Sequence, residues 1–318
     1  MGKKIIGMIS SYQGLTQRDW MWNQTPEHFG IWGNVQMLAN APQPDVLLLY
    51  NFHDFQPTPG KGWLKRFQKP VDPTAQIQSK LRHLPKERVI SLVREPPFPE
   101  LLAKRSADYA TAQRYCGYVS GPDDLAPMPN YMPAIWYVGR SFQELNQAPI
   151  PTKTHTCSWI TSGIDRTAHH RTRLNFLKCL QENHLDFDLY GRGLPDWSKS
   201  YGMLANKWHA MAPYYYNLAI ENYADNRWYV SEKLWDALLS WCLPIYYGGA
   251  AADQLLPPGS FLRLPSFDEQ GMAYIREVIS SPDAWYAARD AIAEARQIIL
   301  HKLNLVNWLS EFVADIEL

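Results

Sequence analysis

Short, almost wholly apolar runs alternate along this chain with longer amphipathic segments. Lys4–Ser10, Asp45–Tyr50 (DVLLLY) and Arg88–Arg94 (RVISLVR) carry too few polar positions for half-exposed strands, so they predict parallel strands covered on both faces. The segment Val35–Asn40 is expected to be a helical crossover between the first two. The run EPPFPE at 95–100 cannot form regular structure, because proline lacks a donor and keeps the preceding residue extended. A helix is expected over Leu101–Tyr115 and an extended start to Tyr131–Arg140. The polar, proline-containing stretch 145–155 reads as a linker, which divides the chain at 148/149. Beyond it come a strand at Thr156–Ser162, a helix at Arg171–Glu182 with Leu174, Leu177 and Leu180 on its core face, and a strand at Phe187–Tyr190. Tyr214–Glu221 alternates, with Tyr216, Leu218 and Ile220 on one face. Ser231 is placed to cap a helix whose Leu234, Trp235, Leu238 and Leu239 share a face. That helix is expected to stop at Pro244, before a short strand at Ile245–Tyr247 closed by Gly248 and Gly249. The region from Ala284 onward reads as helix that crosses back to the first domain. The alternation predicts an α/β protein of two Rossmann-like domains facing across a cleft, residues 1–148 and 149–318.

Composition narrows the picture. Among 318 residues, Lys plus Arg and Asp plus Glu both number 31, so no overall field favours nucleic acid or an acidic membrane. Cys116, Cys157, Cys179 and Cys242 are widely spaced with no CxxC pair and read as reduced thiols. The apolar run in MGKKIIGMISSY is too short for a signal or membrane segment, so the expected location is cytoplasmic, with peripheral association at an inner membrane left open. No integral membrane segment is expected. Thirteen tryptophans and eighteen tyrosines suit both sugar stacking and ordinary core packing.

Ligands of open α/β sheets sit beyond the carboxyl ends of the strands. Glu221, Asn222, Tyr229, Glu232 and Lys233 all fall at such an end. Carboxylates and amides bind hydroxyls, while lysine and helix amides bind phosphate, so this set suits a sugar nucleotide. The order ENY, a short loop, YVSEKLWDALL, a proline-led strand and LLPPGSFLRLPSFD resembles the donor-binding half of the α-1,3/1,4-fucosyltransferases (glycosyltransferase family 10, bacterial type), whose signature runs FEN, loop, YVTEK. Here Ile220 replaces an aromatic, Tyr223 a Ser or Thr, and Ser231 a Thr. The resemblance fades towards the N-terminus.

This resemblance implies an inverting transferase with GDP-fucose as donor substrate, an oligosaccharide or glycoconjugate acceptor, and neither a metal nor a tightly bound cofactor. It makes Glu95, which directly follows a strand, the base for the acceptor hydroxyl, with Glu100 as competitor. It makes Arg173 the diphosphate ligand, with Arg171 as rival, gives phosphate to Lys233 and hydroxyls to Glu232, and lets Tyr229 shape the pocket. Taken alone, each has an ordinary reading: Glu95 as a solvated glutamate paired with Arg94, the arginines as surface groups, Tyr229 as core. Asp186-Phe187-Asp188 resembles a metal-binding DxD but precedes Tyr-Gly at a strand end, and reads as structural acids. Two alternatives are a different nucleotide-sugar donor on the same fold and a catalytically silent glycan- or nucleotide-binding module.

Overall fold

The computed structural model describes residues 2–12, 14–17, 19–55 and 73–315. It divides into two compact units, Met1–Asn130 with Leu309–Leu318, and Tyr131–Trp308.

Unit 1 holds β1 (Lys4–Ser10), β2 (Ile31–Trp32), β3 (Val35–Met37), β4 (Val46–Tyr50), β5 (Val89–Leu92), β6 (Tyr118–Gly121) and β7 (Met128–Pro129). They form one sheet in the order β2-β3-β1-β4-β5-β6-β7. Each neighbouring pair is parallel except β2 with β3. All five residues of β4 are buried, as a run with no polar face requires in a sheet covered on both sides. Helices α1 (Pro73–Lys80) and α2 (Leu102–Tyr115) contribute Ile77, Tyr109 and Ala112 to a core shared with Leu47, Leu49, Val89 and Val119.

One expected helix is a strand. Val35–Met37 pairs in parallel with β1 from Lys4↔Val35 to Ile6↔Met37. The physical reason is local: Val35 and Met37 are buried and Gln36 is not, a period of two. Gly33, at φ 53°, makes the turn that folds Ile31–Trp32 back against β3.

Unit 2 opens with α3 (Phe142–Gln147). It continues through β8 (His155–Ser162), α4 (Ala168–Glu182), β9 (Asp188–Arg192), β10 (Tyr214–Ile220), α5 (Glu232–Leu239), β11 (Leu243–Tyr247), α6 (Ala251–Leu255), β12 (Leu262–Arg263), α7 (Glu269–Ile279) and α8 (Asp283–Gln297). Its five strands run in the order β12-β11-β10-β8-β9, all parallel. The last helix, α9 (Leu305–Ala314), begins in unit 2, and its residues from Leu309 are grouped with unit 1.

Packing divides the chain after Asn130, whereas polarity had suggested 148/149. Tyr137 N donates to Asp236 Oδ1 at 2.7 Å, and Arg296 Nη2 donates to Leu145 O at 2.5 Å, so residues 131–147 are fastened to the unit 2 helices. Lys153, inside the polar stretch, donates to Ala212 O at 2.8 Å. A polar, proline-containing composition signals irregular backbone, and irregular backbone can still be anchored. Helix α5 also ends earlier than expected, at Leu239. Trp241 at φ 61° turns the chain there, and Pro244 lies within β11 opposite Asn217. All four cysteines are free. Among the described residues, no helix is long and apolar enough to cross a membrane.

Candidate functional site

Strand β10 ends at Ile220, and the next residue, Glu221, is 1% exposed. A carboxylate taken so far from water needs partners, and it has three. Glu221 Oε1 accepts from Ser231 N at 2.7 Å, while Oε2 accepts from Ser231 Oγ at 2.6 Å and from Lys233 Nζ at 3.1 Å. Ser231 Oγ also accepts from Lys233 N at 3.4 Å, the expected cap of α5. Glu221 thus clamps the strand end to the helix start. The ammonium of Lys233 is pulled down by burial, yet the carboxylates of Glu221 and Glu232 carry it above the usual lysine range. Glu232 Oε1 lies 4.0 Å from Lys233 Nζ.

Arg173 projects from α4 into the same edge and is 1% exposed. Its Nη1 donates to Asn222 Oδ1 at 2.8 Å, and its Nη2 to the carbonyls of Ser162 at 2.7 Å and Ile164 at 3.3 Å. Its Nε is buried without a hydrogen-bond partner. Burial lowers the Arg173 pKa to about 10, which leaves it charged at neutral pH. Arg171 instead points outward and donates to Asp165 O at 3.0 Å. The structure therefore sets Arg173, and not Arg171, beside Asn222. His170, next to them, is pushed down to about 4 by burial and then by the charges of Arg173, Lys233, Arg166 and His169. Cations converge on this edge although the chain as a whole is neutral.

Two glycines make the edge possible. A Cβ on Gly248 would lie 2.1 Å from Tyr246 Oη and 2.9 Å from Glu221 Cγ, and one on Gly249 would lie 2.2 Å from Asn226 O. Side chains there would push the β11 exit off the Glu221 loop. Asn226 Oδ1 accepts from Trp228 N at 3.0 Å and Tyr229 N at 2.8 Å, an Asx turn that shapes the loop before α5. Tyr229 is buried. Ile220 is buried and paired with Tyr247, and Tyr223 packs edge-on to His169 at 5.0 Å.

The second candidate group lies in unit 1. Ser10 ends β1, Tyr50 ends β4, and Arg94 and Glu95 follow β5. Three adjacent strand ends are tied together there. Ser11 Oγ donates to Asn51 O at 2.5 Å, and Asn51 Nδ2 donates to Ser11 Oγ at 3.2 Å. Arg94 N donates to Asn51 Oδ1 at 3.3 Å. Asn51 adopts φ 51°, a conformation asparagine tolerates better than most residues. Arg94 is buried and donates to Tyr50 Oη at 2.5 Å, while exposed Glu95 accepts at Oε1 from Tyr12 Oη at 2.5 Å. Burial and the neighbouring Glu95 both raise the Tyr12 pKa, so its hydroxyl stays a donor. The proline run after Glu95 is anchored by a buried pair: Arg105 Nη1 meets Asp123 Oδ2 at 3.1 Å, and Arg105 Nη2 donates to Pro96 O at 2.8 Å. Glu100 is exposed at the 3-10 turn that precedes α2.

The structure thus gathers Arg173, Glu221, Asn222 and Lys233, with Glu232 alongside, at one sheet edge, and sets Glu95 at the carboxyl edge of the other sheet. Sequence reasoning did not single out His170, Tyr12 or the Arg105–Asp123 pair. The Thr167-x-x-His170 spacing was the available signal, since His170 occupies the third turn position of a capping box. Nothing in the linear order pointed to Tyr12, 83 positions from Glu95. Asp188 of the DxD-like run accepts from Tyr214 Oη at 2.7 Å. Among the described residues, no group of three or more His, Cys, Asp or Glu side chains could hold a metal ion.

Parts of the chain match known proteins. Residues 150–288 match the model of the glycosyltransferase family 10 (fucosyltransferase) C-terminal region. Alpha-(1,3)-fucosyltransferase C of Drosophila melanogaster is 30% identical over 143 residues, which is 42% of this chain and 30% of the fly protein. Human alpha-(1,3)-fucosyltransferase 4 is 30% identical over 123 residues, 37% of this chain and 22% of that protein. The chain therefore spans under a third of either relative in the matching region. In three dimensions, an alpha-glucosyltransferase solved with UDP-glucose and DNA superposes with a TM-score of 0.54 at 10% identity, over 98% of this chain and 99% of that one. That likeness shows the fold, two Rossmann-like units of the GT-B class. The matched region contains α4 with Arg173, the Glu221–Lys233 edge and the β11 exit, and in it the chain is similar to the C-terminal region of glycosyltransferase family 10, the fucosyltransferases.

Proposed function

We propose that this chain is an inverting glycosyltransferase that moves fucose from GDP-fucose to a hydroxyl of an oligosaccharide or glycoconjugate. The observation that carries the reading is the cationic edge of unit 2. Arg173, with one buried donor left over, and Lys233, in the first turn of α5, stand where a sheet of this class places its nucleotide. A departing GDP carries two phosphates' worth of negative charge. Arg173, Lys233 and the positive end of the α5 dipole supply fixed positive charge for it. Glu232 suits sugar or ribose hydroxyls, and Tyr229 the pocket wall. Glu221 is committed to Ser231 and Lys233, so its part is to aim Lys233.

In the reaction, the acceptor oxygen attacks the anomeric carbon from the face opposite the nucleotide, and the bond to GDP breaks. Glu95 takes the acceptor proton as the new C–O bond forms. Its exposure, and the Tyr12 bond that holds one of its oxygens, fit a carboxylate that must meet a substrate. The test is release of GDP from GDP-fucose in the presence of a neutral oligosaccharide panel, with wild type set against Glu95→Gln. Turnover that survives the change removes Glu95 as base. Ile220 and Tyr223 stand where the family signature differs, which keeps a second reading open: the same reaction with another nucleotide sugar. A thermal-shift panel of GDP- and UDP-sugars decides between donors, because a ligand specific to the folded state raises its stability. Binding without any release of nucleotide would mark a silent binding module.

A further inference from the structure

At the amino ends of the unit 2 strands lies a cavity of ≈ 490 Å³ lined by Gln181, Asp186, Phe187, Asp188, Lys199 and Tyr201, among others. It is not the edge described above. Asp188 is the first residue of β9 and Tyr214 the first of β10, whereas Glu221 follows the last residue of β10. Its volume falls in the ordinary range for small-ligand sites, roughly 300–1,000 Å³.

The walls are built and held. Gln181, near the end of α4, donates through Nε2 to Lys199 O at 2.9 Å, and its Oε1 accepts from Lys199 N at 3.1 Å. Tyr201 N donates to Leu189 O at 2.9 Å, so the segment carrying Tyr201 is pinned along β9. The Tyr201 ring lies on Tyr190, with centroids 5.3 Å apart and planes at 26°, yet the residue is 71% exposed. Tyr190 Oη is 2.8 Å from Tyr214 Oη, which donates to Asp188 Oδ2 at 2.7 Å. An exposed aromatic ring fixed in this way loses little side-chain entropy when it binds something. Trp197 and Met203, on the same connection, are also exposed.

The chemistry of the lining selects among ligands. Asp186 and Asp188 outnumber Lys199 in the lining and disfavour a phosphate or another anion. They cannot form a three-ligand metal cage, since no such group exists among the described residues. Carboxylates such as that of exposed Asp186 accept from hydroxyls, while an aromatic face takes the apolar C–H face of a ring. A neutral polyhydroxylated ring uses both at once. We propose that this cavity binds a neutral pyranoside unit of a glycan, as a site separate from the donor edge. Such a site would hold the acceptor glycan on the protein between encounters, and it uses the DxD-like run for recognition without a metal.

The test is isothermal titration of the full chain, saturated with GDP, with maltotriose, chitotriose and lacto-N-neotetraose. The expected result is that at least one binds, and that Tyr201→Ala and Asp186→Asn each weaken it by at least about tenfold, while Tyr201→Phe stays within about twofold. The two exposed positions should leave the thermal midpoint unchanged. The proposal is overturned if none of the three binds more tightly than about 10 mM, or if Tyr201→Ala binds as wild type does. The readout is equilibrium binding, so either outcome is independent of whether fucose is transferred.

Discussion

Glu221 and Glu95 are both glutamates just past the end of a parallel strand, and the protein treats them in opposite ways. Glu221 is buried, with both oxygens taken by Ser231 and Lys233. Glu95 is exposed, with Tyr12 on one oxygen. A buried carboxylate with both oxygens engaged and no water around it serves architecture, because a new partner has little left to bind without displacing an old one. A carboxylate held at one oxygen and open at the other has an oxygen to give a substrate. The contrast predicts that the two positions fail differently when changed.

The largest effect is expected at Glu95. Glu95→Gln should lower turnover of GDP-fucose by about 10²–10⁴-fold and leave the unfolding free energy within about 0.5 kcal/mol of wild type, measured by product release and by urea denaturation. A large stability loss would break the contrast. Glu221→Ala should do the reverse. It leaves the Lys233 ammonium and the Ser231 donors without their acceptor, which costs roughly 3–5 kcal/mol, read as a fall in the denaturation midpoint; a variant as stable as wild type would return Glu221 to the ligand list. Arg173→Lys, which keeps the charge but loses the planar fork, should weaken GDP binding by about ten- to a hundredfold in a titration of the folded protein. Tyr12→Phe removes one donor from Glu95 and should lower turnover about fivefold, the equivalent of about 1 kcal/mol, with nucleotide affinity unchanged.

Acid gives a gentler probe of the cationic edge. His170 has a folded pKa of about 4, below its ordinary value of 6.5, so between these values the unfolded chain binds the extra proton. Stability is then complete above pH 6.5 and falls progressively as pH drops towards 4. His170→Gln should flatten that part of the stability profile, followed as the thermal midpoint against pH. An unchanged slope would show that burial and the neighbouring charges do not lower the pKa of His170.

Much of the donor edge was legible because its signals are local. A strand must alternate or be wholly apolar, a cap must be a short polar residue one step before a helix, and Ser231, Glu232 and Lys233 are neighbours. The reading failed where two local signals competed. Val35–Met37 looked like a crossover because parallel strands need one, but the Gly33 turn and a period of two made it a strand. It failed again at 145–155, where polarity marked irregular backbone without revealing that Lys153 and Leu145 anchor it.

By itself, the sequence determined most of the elements, the parallel core of both sheets and the strand ends at which Glu95, Glu221 and Asn222 stand, because each rests on the chemistry of residues close together in the chain. Only the tertiary structure decided that Arg173 rather than Arg171 turns inward to Asn222, that Glu221 is spent on Ser231 and Lys233, and that Tyr12 reaches Glu95. Those outcomes depend on burial and on partners tens of residues away, and a carboxylate's role follows from how much water and how many donors surround it, which no run of neighbouring residues specifies.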